Sequence, residues 1–240
     1  MSEPTSICHS CHAGCCRAFA IPVTGADVLR LAQGTQSNFW DFACRWADPE
    51  GIIAGDYVPH LRFEDEPETP FVLCLSQQSS QLFPGTSRCR FLEETVPDAA
   101  HPLGTGRCGA YQHRPAACRV FPLRMRASSL LTVLGEVAEH GRPADGGAAY
   151  QLCPRPWETS DIDPVAGPQD VAVAKFEAEF FRQVVAVWNR RPGRWETFPD
   201  FLQLVYEQRV VKQPADDQRD EVATMSFSAA PLQHRHRFAA

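Results

Sequence analysis

The chain has 240 residues, 44% of them hydrophobic and 22% charged, which is enough apolar material for a packed core without covalent staples. A formal net charge of −6 excludes general binding to nucleic acid or to an anionic membrane surface, both of which need a basic face. No apolar run approaches the roughly 18 residues of a membrane span, and the start, MSEPTSICHS, lacks the basic and apolar regions of a secretory signal, so cytoplasmic residence is the default expectation.

Ten cysteines are then the first unusual feature. In a reducing compartment clustered thiols are ligands or reactive groups rather than disulfides. Four of them, Cys8, Cys11, Cys15 and Cys16, crowd into CHSCHAGCC. After this cluster AFAIPV reads as a short strand. TGADVLRLAQG reads as a helix, with Thr24 as N-cap, Asp27 in its first turn and Gly34 as its stop. In SNFWDFACRWAD the residues Phe39, Phe42 and Trp46 recur at helical spacing.

From about Gly51 to Gly109 the sequence predicts loops of low regularity, with strand-like pieces at YVPHLRFE and FVLCL and a compact SRCRFLEE. In RCGAYQHRPAACRVFPLRM, Pro115 suits the first turn of a short helix carrying Cys118. SSLLTVLGEVA is strand-like or a short helix, and GRPADGGA is a loop. The run from Gln169 to Asn189 predicts a long amphipathic helix with Val173, Phe176, Phe180, Val184 and Val187 on one face. A second helix is expected over FPDFLQLVYEQRVV and a mobile tail beyond Lys212. The expected organisation is a cysteine-rich domain over residues 1–160, a helical extension over 161–212 packed on it, and a tail over 213–240. The fold class is α+β.

The spacing Cys8-x2-Cys11 lets two thiolates from one turn reach a single tetrahedral ion. Cys15 and Cys16 are neighbours, and in an extended stretch they would point to opposite faces and so serve two centres or two sides of one cluster. A disulfide between them is the strained alternative. Cys89, Cys108, Cys118 and Cys153, each in a turn-like context, bring the count to eight, which fits two four-thiolate sites or one cluster of several metals. Cys44 and Cys74 read as ordinary buried cysteines.

Arg17, Arg88, Arg90, Arg107 and Arg119 each adjoin one of the eight, where guanidinium charge would offset thiolate charge. His9 and His12 could substitute for a thiolate, but the reading favoured here leaves them solvent-facing. A redox dithiol at Cys8 and Cys11 is the weaker alternative. GTGRCG satisfies G-x-G-x-x-G without a strand before it or a helix after it, so it reads as a flexible loop delivering Cys108, not as a dinucleotide site.

CHSCHAGCCR, VTGADVLRLA, CRFL, CGAYQHRPAACRVFP and CPRPW together resemble the CxxCxxCC cysteine-cluster family of YkgJ-like proteins, described as zinc- or iron-chelating. The resemblance runs from Cys8 to about Trp157 and places the family's cysteines on Cys8, Cys11, Cys15, Cys16, Cys89, Cys108, Cys118 and Cys153. One departure is the three residues between Cys11 and Cys15 where the family has two; Gly14 is expected to absorb the insertion at positive φ. The resemblance implies a metal ion as partner, with zinc or iron bound as two ions or as one polynuclear or iron–sulfur cluster. One branch is similar to flagellin lysine N-methylases, which implies as an alternative an iron–sulfur-containing, S-adenosylmethionine-dependent protein-lysine N-methyltransferase. Tyr111, Arg114 and Arg119 would be the residues nearest a small-molecule pocket in that case.

Overall fold

The computed structural model describes residues 11–54, 58–121 and 162–211, so Cys8, Cys153, His9, the segment SSLLTVLGEVA and the tail lie outside the described residues. In chain order the elements are α1 Cys15–Ala18, α2 Gly25–Thr35, α3 Phe39–Phe42, β1 Ala43–Ala47, β2 Leu61–Phe63, β3 Glu66–Leu75, β4 Gln77–Ser79, β5 Ser87–Cys89, β6 Leu92–Glu94, β7 Gly106–Cys108, α4 Ala116–Val120, α5 Ala166–Arg190 and α6 Phe198–Val211. Helices and small antiparallel sheets in one chain make the fold α+β. No helix among the described residues is long and apolar enough to cross a membrane.

The main sheet has the order β1-β3-β2, antiparallel throughout. Its central strand ends in Phe71–Leu75, buried on both faces, which is why FVLCL is apolar without alternation. The AFAIPV segment contributes only a bridge, Pro22 opposite Cys74, with the Val23 N–H donating to the Leu73 carbonyl at 2.9 Å.

Helix α2 begins where its capping chemistry predicts. The Asp27 N–H donates to Thr24 Oγ at 3.3 Å, and Asp27 Oδ2 accepts from the Thr24 N–H at 3.0 Å, a reciprocal capping box. Its end differs from expectation: Gln36, not Gly34, takes the left-handed conformation, at φ 53°. Gly34 instead meets the ring of His113 so closely that no Cβ would fit.

The helical spacing of Phe39, Phe42 and Trp46 is realised for one turn only. From Ala43 the chain extends and pairs with β3, Cys44 opposite Cys74 and Trp46 opposite Val72. The window is too short for period alone to separate helix from strand, and the tertiary pairing decides. The Gly51–Gly109 region is likewise more regular than expected, since six strands fall in it.

Helix α5 seals the open edge of β2. Asn189 Oδ1 accepts from the Arg62 N–H at 2.9 Å, its Nδ2 donates to the His60 carbonyl at 2.8 Å, and Trp188 Nε1 donates to the Arg62 carbonyl at 2.8 Å. These side chains stand where another strand would pair. Phe63 meets Trp188, Trp195 and Phe198 edge-to-face, as Trp188 does Phe198, at 5.0–6.0 Å, while Trp195 stacks on Phe198; these rings join α5 and α6 to the sheet's core. The buried face of α5 is Val171, Ala174, Ala178, Phe181, Val184, Val185 and Trp188. Of the face expected from periodicity only Val184 is buried; Val173, Phe176 and Val187 are exposed, Phe176 at 62%. Phe181, Val184, Val185 and Trp188 join the main core, and Val171, Ala174 and Ala178 form the contact with α4. Ala174 and Ala178 receive Ala116 and Val120, so α5 also carries the Cys118 helix.

Candidate metal centre

Strand pairing brings the separated cysteines together. Cys89 closes β5, paired with Gln77, and the chain turns through Arg90 and Phe91 into β6. Leu92 at the start of β6 pairs with Cys108 at the end of β7, and the Gly109 N–H donates to the Phe91 carbonyl at 2.8 Å. Cys89 and Cys108 therefore reach the same end of two small hairpins. The G-x-G-x-x-G stretch delivers Cys108 from a strand and not from a flexible loop.

Cys11 is tied to this end as well. Its carbonyl accepts from the Gly106 N–H at 2.8 Å, and its Sγ accepts from the Ala13 N–H at 3.4 Å. A Cβ on Gly106 would fall 2.5 Å from the Ala13 Cβ, so only glycine allows this approach. The insertion between Cys11 and Cys15 is absorbed one residue earlier than expected: Ala13 has φ 58°, while Gly14 is right-handed at φ −54°. A left-handed alanine costs about 1–2 kcal/mol. That strain lets the chain turn directly into α1.

Cys15 and Cys16 lie in α1, in a helical turn rather than an extended stretch. The premise that they face opposite sides fails, because adjacent helical positions are about 100° apart. Their thiols hydrogen-bond to each other. That bond holds Cys15 below the usual thiol range against its burial, and it raises Cys16, which burial raises further.

Electrostatic coupling links five thiols into one connected group, though not every pair of them. Cys16 feels Cys15, Cys118 and Cys89; Cys89 feels Cys108 and Cys15; Cys118 feels Cys89, Cys15 and Cys108. Burial is the main cause that pushes Cys89 up to about 12 and raises Cys108 and Cys118, and the neighbouring thiols add to it. Among the described residues, no group of three or more His, Cys, Asp and Glu side chains forms a set that could hold a metal ion as it stands. The five thiols are gathered without closing on one position. The chemistry of the set fits zinc or iron, since thiolates are the donors both metals share.

The arginine reading resolves unevenly. Arg88 opposes the rise at Cys89, and Arg114, not singled out as a thiol neighbour from sequence, does so at Cys108 and Cys118. Arg17 and Arg88 converge on one carboxylate, Glu94, at 2.5 and 3.1 Å. Arg17 and Glu94 side chains are only 1% and 4% exposed. Glu94 also accepts from Ser80 Oγ at 2.6 Å and the Gln81 N–H at 3.1 Å. Burial works against its charge, but these bonds and Arg17 prevail and hold it below the usual carboxylate range. Arg90 instead reaches Gln78, and Arg119 pairs with Asp170 at 3.5 Å.

His12 is buried, at 9% exposure, and not solvent-facing. Cys74 is fully buried, and burial raises its thiol; Cys44, half-buried opposite it, is pushed up by burial to about 11 and donates weakly to the Leu75 carbonyl at 3.6 Å. Both fit the reading of inert core thiols. Asp27 and Glu94 are the supporting residues that sequence reasoning missed. Asp27 was legible only as a capping acid, and Glu94 carried no local signal.

Because the clustered thiols are mostly raised, metal uptake must displace protons. Affinity for zinc will rise with pH, about tenfold per pH unit for each proton released. Competition with a chromophoric chelator between pH 6.5 and 7.5 checks this, and a flat profile would contradict it.

The sequence matches one family, CxxCxxCC, described as "Putative zinc- or iron-chelating domain", over residues 7–141. The matched stretch contains Cys8, Cys11, Cys15, Cys16, Cys89, Cys108 and Cys118 and ends before Cys153. Comparison with curated proteins and with solved structures finds no match.

Proposed function

Since the chain belongs to the CxxCxxCC zinc- or iron-chelating family, we propose that it holds its metal through the eight thiolates of Cys8, Cys11, Cys15, Cys16, Cys89, Cys108, Cys118 and Cys153, as two ions or one polynuclear cluster. The observation that carries this reading is that strand pairing and α1 and α4 bring Cys15, Cys16, Cys89, Cys108 and Cys118 into one connected group. Disulfide chemistry would pair thiols two by two, whereas five thiols brought to one region from four elements suit a shared cation.

Bound metal supplies positive charge at the centre of this group and would draw the separate elements onto one point. The chain's own residues prepare the place. Ala13 turns the N-terminal segment, Gly106 admits it, and Arg88 and Arg114 lower the cost of ionising the buried thiols.

The methyl-transfer alternative gains no comparable support. Arg114 stacks on Tyr111 at 3.9 Å and donates to its carbonyl at 3.2 Å, and Arg119 is paired with Asp170, so all three residues have packing roles. Anaerobic purification followed by elemental analysis, acid-labile sulfide assay and an absorption spectrum tests the proposal. Colourless protein with about two zinc ions per chain, by the four-thiolate rule, identifies zinc. Brown protein with labile sulfide identifies an iron–sulfur cluster. Protein purified without metal that then takes up neither ion contradicts the reading.

A further inference from the structure

We propose that Asp27 of helix α2 is a positioning residue for the metal ligand Cys118, an inference that rests on the metal-binding reading above. Asp27 is buried and its two carboxylate oxygens face different elements. Oδ2 accepts from the N–H and Oγ of Thr24, both at 3.0 Å, and closes the N-terminus of α2. Oδ1 accepts from the N–H of Ala116 at 2.9 Å and from Arg30 Nη2. Ala116 is the first residue of α4, two before Cys118. A local cap needs only the first oxygen. The second reaches 89 residues along the chain to an otherwise orphaned helix N–H.

Two more contacts fix the same segment to α2. Arg30 Nη2 donates to the Arg114 carbonyl at 3.2 Å, and the His113 ring lies against Gly34 where no Cβ would fit. From the other side Ala116 and Val120 pack on Ala174 and Ala178 of α5. The helix bearing Cys118 has one short turn and little rigidity of its own, so its place is set by what grips its ends. Asp27 grips the end that aims Cys118. Outer groups of this kind orient metal ligands, and their loss typically costs about 10–100-fold in affinity.

Substitution separates aiming from capping. Asp27→Asn cannot accept on both sides, because its amide nitrogen would meet an N–H donor at Thr24 or at Ala116. Thr24→Val removes the cap hydroxyl and leaves the Asp27–Ala116 bond. Ala116→Pro removes the N–H that Asp27 holds, at a helix position that tolerates proline, and leaves the α2 cap untouched. Cobalt(II), titrated anaerobically into the metal-free full chain, reports each bound thiolate by its sulfur-to-metal charge-transfer absorption.

In Asp27→Asn and in Ala116→Pro the intensity per bound cobalt should fall part of the way to that of Cys118→Ser, with affinity down about 10–100-fold. Combining either with Cys118→Ser should reduce intensity no further than Cys118→Ser alone. Thr24→Val should melt earlier and keep the full spectrum. If Asp27→Asn does not fold, Ala116→Pro carries the test alone. Wild-type intensity and affinity in the folded variants would overturn the positioning role while leaving the metal site standing. Failure of the wild-type chain to bind cobalt would overturn the metal reading itself.

Discussion

Replacing Cys118 by serine will weaken zinc or iron binding by more than about 100-fold, beyond the 10–100-fold usual for losing an outer-shell partner. Burial raises the Cys118 thiol, and Cys89, Cys15 and Cys108 add to the rise. A serine hydroxyl is a poor ligand for these metals and leaves the remaining thiols without a closing partner. Cys44→Ser is the matched control. It alters a half-buried thiol on β1, opposite Cys74, and should leave metal content unchanged. Chelator competition measures both affinities. Equal losses in the two variants, or no loss in Cys118→Ser, would remove Cys118 from the site.

Glu94→Ala should cost about 3–5 kcal/mol of stability, the usual penalty for removing one partner of a buried ion pair. Glu94 stands between Arg17 and Arg88, and Arg17 has almost no access to water. Without the carboxylate, Arg17 keeps a 3.3 Å bond to Ser80 Oγ and the face of the Phe83 ring at 4.8 Å, neither of which carries the compensating charge. Arg17 directly follows Cys16 and Arg88 directly precedes Cys89, so the loss is expected to extend to the proposed metal centre. The pH dependence follows from the direction of the shift. Glu94 titrates lower in the folded chain than unfolded, so its contribution is present above the usual glutamate range and fades as pH falls through the folded value. Denaturant unfolding of wild type and variant at pH 7 and pH 4 measures both effects. A difference that does not shrink toward pH 4 would contradict the assignment.

Legibility from sequence divides along physical lines. Helix α2 was readable because T-G-A-D carries its own capping chemistry, which depends on residues three apart and on nothing distant. Pro115 was readable to within one residue, since the structure makes it the N-cap of α4 and not part of its first turn. Strand β1 was not, because Phe39, Phe42 and Trp46 satisfy the helical period while the pairing that overrides it comes from β3, some thirty residues away. The contact face of α5 was misjudged because apolar residues surround the helix, and the choice between Phe176 and Ala174 is made by α4 and not by α5 itself.

At the proposed site, the thiols could be nominated from the sequence, but their meeting could not be foreseen. Cysteine is conspicuous in sequence, but the register Leu92 opposite Cys108 is a long-range fact. Asp27 shows the limit most clearly. One of its oxygens performs the local task that sequence patterns reveal, and the other performs a distant task that they cannot.

X-ray absorption at the edge of the bound metal is the most direct test of a thiolate centre. Zinc-loaded protein is expected to show a first shell of sulfur only, at about 2.3 Å. A first shell of nitrogen or oxygen at about 2.0–2.2 Å would contradict it.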